Sequence, residues 1–123
     1  MQRISNCDMA SYVAQLDEFR NHNGTVIAQD RGDIYVVQSY GEHFPMYVYD
    51  YATRVWFGNT DKYSRTTSTH QNKTRPDVNC IQWTDTNQMR ALVQAGSYAA
   101  VCADRIIEPS AVERIERAFA VMN

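Results

Sequence analysis

The sequence predicts an α+β fold: a small, twisted antiparallel sheet of about three to five strands, flanked by an N-terminal helix and C-terminal helices. Three observations carry that expectation. Near the N-terminus, Met9, Tyr12, Val13, Leu16 and Phe19 recur at helical spacing. From Ile34 to Asn59 the chain is dense in β-branched and aromatic residues, broken by turn formers. After Asp85 the helical spacing returns, and both Asp85 and Ser110 precede a Gln or Glu in the capping position.

The elements follow in order. Ser5 and Asp8 provide a capping signal, Ile4 and Met9 sit where a hydrophobic staple would place them, and His22-Asn23-Gly24 offers a stop. That predicts one long first helix. Thr25–Gln29 reads as a short strand, and Arg31-Gly32-Asp33 as a tight turn rather than an adhesion motif. Ile34–Tyr40 reads as a strand. Pro45 suits the first residue of the next, because proline cannot donate to an inner ladder. In that strand alternation puts Met46 and Val48 on one side and Tyr47, Tyr49 and Tyr51 on the other. A turn at Ala52-Thr53 leads into Arg54–Asn59, where Val55 and Phe57 alternate with Arg54 and Trp56. Asp77–Trp83 is an edge-strand candidate. Met89, Leu92 and Val93 continue a helix that Gly96 can end, and 97–107 fits either a helix or a strand. Val112, Ile115, Ala118, Phe119 and Met122 mark a final amphipathic helix.

Composition bounds the function. The chain has 123 residues, 44% hydrophobic and 21% charged, which fits a single globular domain over 1–123. The formal charge of −2 argues against a surface that binds nucleic acid all over. It is unevenly spread, however: Lys62, Arg65, Lys73 and Arg75 face no carboxylate between Lys62 and Pro76, so that segment carries +4 and the rest −6. Cys7, Cys80 and Cys102 match no zinc or redox spacing and read as free, buried or half-buried thiols. The polar N-terminus does not read as a signal peptide, and no stretch is apolar enough to span a membrane, so the expected place is the cytoplasm.

Nine of the fourteen aromatic residues fall between Tyr35 and Tyr63, which singles out a face. If Met46, Val48, Val55 and Phe57 point inward, then Tyr47, Tyr49, Tyr51 and Trp56, with Arg54 beside them, point to water as an interaction surface. The segment 59–76 reads as a long loop carrying Lys62, Tyr63, Arg65, His70, Gln71, Lys73 and Arg75. Its cations, hydroxyls and amides suit phosphate or carboxylate oxygens, and beside aromatic rings they suit single-stranded nucleic acid. A P-loop is excluded by the lack of glycines. Ser64, His70 and Asp61 could in principle make a small hydrolase, but no catalytic fingerprint surrounds them. His43 and His70 with Asp50 or Asp61 could ligate a metal, although local hydrogen bonding is the simpler role. A helix-turn-helix built around Gly96 has only Arg105 as a cation in its second helix, too little for a major groove. No cofactor, metal or catalytic residue is therefore expected.

The run SYGEHFPMYVYD, the tryptophan of RVWFGN and the run DKYSRTTSTHQNKTRP resemble a family of small uncharacterised proteins from bacteriophages, prophages and plasmids. The matching positions are Tyr40, Gly41, His43, Phe44, Pro45, Asp50, Trp56, Asn59, Asp61 to Ser64, Thr66 to Ser68, His70, Gln71, Arg75 and Pro76, about a third of the chain. No activity comes with the resemblance. It implies a phage context, hence the host cytoplasm, and a non-enzymatic protein that engages a host macromolecule, such as an inhibitor of a bacterial defence system of the CRISPR-nuclease kind. The partner would be a host protein or a protein–nucleic acid complex, or nucleic acid directly. The oligomeric state stays open.

Overall fold

The structure, a computed structural model, describes residues 1–41, 44–62 and 64–104. Seven strands form one sheet in chain order: β1 (Gln2–Ile4), β2 (Phe19–Asn21), β3 (Val26–Asp30), β4 (Ile34–Ser39), β5 (Pro45–Asp50), β6 (Val55–Asn59) and β7 (Ile81–Thr84). Neighbours from β2 to β6 are antiparallel, whereas β1 runs parallel to β2 and β7 runs parallel to β6. The α+β class agrees with the expectation. The sheet is wider than expected, and mixed rather than antiparallel. Both parallel pairs sit at its margins; β7 falls on the expected edge strand, whereas β1 and β2 are three residues each, too short to give a sequence alternation.

Each parallel pair requires a crossover, and each crossover contains a helix. Helix α1 (Met9–Ala14) joins β1 to β2, and α2 (Arg65–Thr74) joins β6 to β7. An even number of antiparallel steps separates β2 from β6, so both crossovers start in the same direction and move the same way across the sheet. Right-handed connections then place both helices on one face, and α1 and α2 touch. Helices α3 (Thr86–Ala95) and α4 (Tyr98–Asp104) pack on the other face.

Two cores result. Beneath α1 and α2 lie Val26, Ala28, Tyr35, Val37, Met46, Tyr47 and Trp56, closed by Met9, Val13 and Phe19. Beneath α3 and α4 lie Ile34, Val36 and Val48, closed by Met89, Leu92 and Val101. Every residue of β4 is buried. A strand buried on both sides reads as a continuous apolar run rather than an alternation, and Ile34-Tyr35-Val36-Val37 is such a run.

Several local expectations are corrected. The first helix ends at Ala14 instead of running to His22, because the chain reverses at Leu16 (φ 58°) and Phe19 enters β2. The Tyr35 hydroxyl holds that reversal, donating to the Asp17 carbonyl at 2.7 Å. Strand β5 carries a bulge: Val37 faces Tyr47 but Gln38 faces Pro45, leaving Met46 as the extra residue. An extra residue lets neighbours share a side, so Met46 joins Tyr47 in the first core instead of Val48 in the second. Cys7 and Cys80 are exposed rather than buried, and Cys102 is half-buried.

Other expectations hold. Pro45 opens β5. Asp85 caps α3 by accepting from the Gln88 N–H at 2.8 Å, and Gly96 ends it with φ 85°. Within 97–107, residues 98–104 are helical. The final helix expected after Ser110 lies outside the described residues. Among the described residues no helix is long and apolar enough to cross a membrane.

The margin at β7 rests on Gly58. A Cβ there would come within 2.7 Å of the Trp83 ring and 2.9 Å of Ile81 Cγ2. Gly58→Ala is expected to lose about 1–3 kcal/mol of stability through this overlap. Urea unfolding followed by tryptophan fluorescence measures the loss; unchanged stability would mean that β7 does not pack against β6 in this way.

Candidate functional site

Helix α2 replaces the expected loop. Its sequence, RTTSTHQNKT, is poor in helix formers and has no apolar stripe, so neither propensity nor hydrophobic period announces it. Ser64 starts it, accepting from the Thr67 N–H at 3.1 Å. The helical period is present in polar residues: Thr67, His70, Gln71 and Thr74 are the buried ones. Their spacing puts all four on one face.

Hydrogen bonds seat that face. His70 Nδ1 lies 2.9 Å from Ser39 Oγ on β4, and the Tyr47 hydroxyl donates to the Gln71 carbonyl at 3.0 Å. Gln71 Nε2 donates to the carbonyls of Asn59 and Asp61. Asn59 Nδ2 donates to the Pro45 carbonyl and to Thr86 Oγ1, tying β6 to β5 and to the start of α3. Asp61 accepts from the Thr86 N–H and hydroxyl, at 2.9 and 2.7 Å, and these bonds hold its carboxyl below the usual range. The segment from Asn59 to Thr74 is thus a polar clasp across three elements.

The clasp overturns parts of the expected site. His70 and Gln71 are 4% and 3% exposed and serve the packing of α2. Ser64, His70 and Asp61 bond to Thr67, Ser39 and Thr86, not to one another, so the hydrolase arrangement is not assembled. The tyrosine–tryptophan face is not an outer surface either. Tyr47 (2%) and Trp56 (8%) are buried beneath the helices. Tyr49 and Tyr51 are half-buried; their rings pack edge to face, and the Tyr51 hydroxyl donates to Asp30. Burial pushes Tyr47 and Tyr51 up to about 12, with the Asp30 bond adding to the shift at Tyr51. Arg54 is exposed in the β5–β6 turn, at the opposite end of these strands from the clasp. Tyr63 and His43 lie outside the described residues.

What the structure does bring together is the outer side of α2 and the margin beside it. Arg65, Thr66, Thr69, Asn72 and Lys73 are exposed on one side of the helix, and Lys62 is exposed before it. Just beyond the helix, the Arg75 guanidinium sits 5.5 Å from the centre of the Trp83 ring, which also packs against Tyr47. Tyr40 lies against His70. Trp83 and Tyr40 are 46% and 55% exposed, two of the large apolar side chains the fold leaves in water. The sequence reading missed both as site residues. Trp83 carries one usable signal: it ends an edge-strand candidate a few residues after the cationic segment.

A cleft of about 250 Å³ lies on the opposite face, lined by Phe57, Gln82, Trp83, Thr84, Gln88, Leu92, Tyr98 and Val101. Among the described residues that line it there is no carboxylate, histidine, cysteine or cation, and Thr84 and Tyr98 supply its hydroxyls. Among the described residues no three His, Cys, Asp or Glu side chains group as a metal site would require. The chain matches no family model, no curated protein and no solved structure.

Burial holds His70 below its ordinary value near 6.5. The folded protein therefore binds this proton less readily than the unfolded chain, which takes it up as pH falls below that value. Stability contributed by neutral His70 is intact above pH 6.5 and declines below it, by up to ~1.4 kcal/mol per pH unit. Urea midpoints between about pH 7.5 and 5.5 test this. His70→Gln is expected to flatten the slope relative to wild type, and equal slopes would place a water-exposed His70 in the folded protein.

Proposed function

We propose that this chain is a non-enzymatic binding protein of the phage type that engages an anionic host macromolecule through the outer side of α2 and the Arg75–Trp83 pair. One observation carries the reading. The polar residues of α2 divide into an inward set used by the clasp and an outward set holding Arg65 and Lys73, with Arg75 stacked on a half-exposed indole. Cations alone are commonplace on protein surfaces. Cations beside an exposed aromatic ring, on a segment without a carboxylate, suit a phosphate backbone with unstacked bases.

The chemistry favours the nucleic-acid strand of a host protein–nucleic acid complex over a purely protein partner. The resemblance to phage and plasmid proteins supports a defence complex as the context, with a CRISPR nuclease as the example. Blocking such a strand is inhibition by occupancy and needs no catalytic group.

Fluorescence anisotropy with a labelled single-stranded oligonucleotide tests the surface directly. Contact by three cations predicts a slope of about −2 in log affinity against log salt. Arg65→Glu and Lys73→Glu should each weaken binding by roughly tenfold, and Trp83→Ala by a comparable factor. Absence of binding at low salt, or affinity indifferent to both charge reversals, would sink the nucleic-acid reading.

A further inference from the structure

We infer that β7 is a self-pairing edge: two copies of the chain join β7 to β7 antiparallel, continuing the sheet across a two-fold axis at Gln82. This goes beyond the proposed function and rests on the peptide groups of Ile81 and Trp83 rather than on the Trp83 side chain.

The hydrogen-bond phase of β7 leads to the pairing. In a parallel pair, alternate residues direct both peptide groups at the neighbouring strand. The Thr60 N–H donates to the Thr84 carbonyl at 2.8 Å, which fixes the phase with Asn59 opposite Thr84. Gln82 and Thr84 therefore spend their peptide groups on β6. The N–H and C=O of Ile81 and Trp83 point away from the sheet. Among the described residues nothing accepts from or donates to them.

An open edge of this kind is a template for another strand, and proteins blunt such edges with charge or proline. The opposite margin is blunted in this way: β1 carries the exposed Arg3. By contrast, β7 reads Ile-Gln-Trp-Thr, with neither charge nor proline.

The phase also selects a second copy as the occupant. Outward-pointing residues occur at positions 81 and 83, so an antiparallel copy can pair Ile81 with Trp83 and Trp83 with Ile81 as reciprocal hydrogen-bonded pairs. That register is symmetric and leaves Gln82 opposite Gln82 on the axis. On one face, Ile81 of each copy stands opposite Trp83 of the other, while each indole leans back over Gly58 of its own chain. On the reverse face the two Gln82 amides meet and can bond to each other. No charged residue of β7 opposes another. Because the axis stands perpendicular to the sheet, both α2 helices end on the same side, so the two Arg75–Trp83 pairs adjoin.

Gln82 supplies the test, since it is exposed and its side chain serves no internal bond. In a non-hydrogen-bonded antiparallel pair the Cα atoms lie about 4.5 Å apart, within disulfide reach. In a background of Cys7→Ser and Cys80→Ser, Gln82→Cys should form a linked dimer on mild oxidation, whereas Asn72→Cys on the outer side of α2 should not. Wild-type protein should shift from monomer to dimer, from 14.2 kDa to twice that mass, with rising concentration in sedimentation equilibrium. Gln82→Lys, which sets two like charges across the axis, should weaken the dimer at least tenfold while circular dichroism stays that of the wild type. A chain that stays monomeric to millimolar concentration without a Gln82→Cys link overturns the proposal and leaves the edge to an extended segment of another protein. A dimer that neither links through Gln82→Cys nor responds to Gln82→Lys also overturns it, placing the contact elsewhere.

Discussion

Burial of β4 and β5 on both faces is the constraint from which the rest of this structure follows. Six consecutive residues of β4 are removed from water, and so are five of the six in β5. A sheet whose centre is apolar on both sides needs cover on both sides. The chain supplies it with α1 and α2 on one face and α3 and α4 on the other. Once that is so, the aromatic side of β5 and β6 cannot be an outer surface. Tyr35, Tyr47 and Trp56 become core side chains, and the two tyrosine hydroxyls donate to backbone, Tyr35 to Asp17 and Tyr47 to Gln71.

The cover on the two faces is chemically different. Over Ile34, Val36 and Val48 it is apolar, through Met89, Leu92 and Val101. Where α2 lies, it is polar, and each inward side chain needs a partner because an unmet buried polar group costs about 1–3 kcal/mol. His70 finds Ser39, Gln71 Nε2 finds the carbonyls of Asn59 and Asp61, and Thr74 donates to the His70 carbonyl, while Gln71 Oε1 stays buried without a partner among the described residues. Asp50 plays a like part on the second face. Fully buried, it accepts from the N–H and hydroxyl of Thr53 and from the Tyr98 N–H, joining the β5–β6 turn to the start of α4. A helix held through such bonds on one side keeps its other side free for charge. That is why cations collect on α2 without an apolar stripe beneath them.

This assigns a physical role to many positions of the motif read between Tyr40 and Pro76. Asn59, Asp61, Ser64, Thr67, His70 and Gln71 serve the clasp or the cap of α2, Pro45 begins β5, and Asp50 anchors two elements. Tyr40, Lys62, Thr66 and Arg75 are exposed instead, with Arg75 stacked on Trp83. The pattern is therefore mainly a statement about how the segment folds. The outward cations that carry the functional reading include positions outside it, such as Lys73.

The sequence by itself determined the α+β class, the strands from Val26 to Asn59, the start of β5 at Pro45, the cap at Asp85 and the stop at Gly96. These rest on local causes: side-chain period, proline's missing donor, side-chain capping and the left-handed freedom of glycine. It also located the cationic segment, although as a loop. Tertiary structure alone decided that both sides of β5 are covered, by α1 and α2 on one face and α3 and α4 on the other, and a one-residue bulge moves Met46 to the tyrosine side without leaving a mark in composition. It alone turned Arg65–Thr74 into a helix, since the bonds that stabilise it reach Ser39, Tyr47, Asn59 and Asp61, residues that chain order does not place beside it. The two marginal parallel pairs belong to the same class. β6 and the edge strand β7 were legible as alternations, but β1 and β2 are three residues long and the parallel direction of both pairs comes only from a sheet already formed.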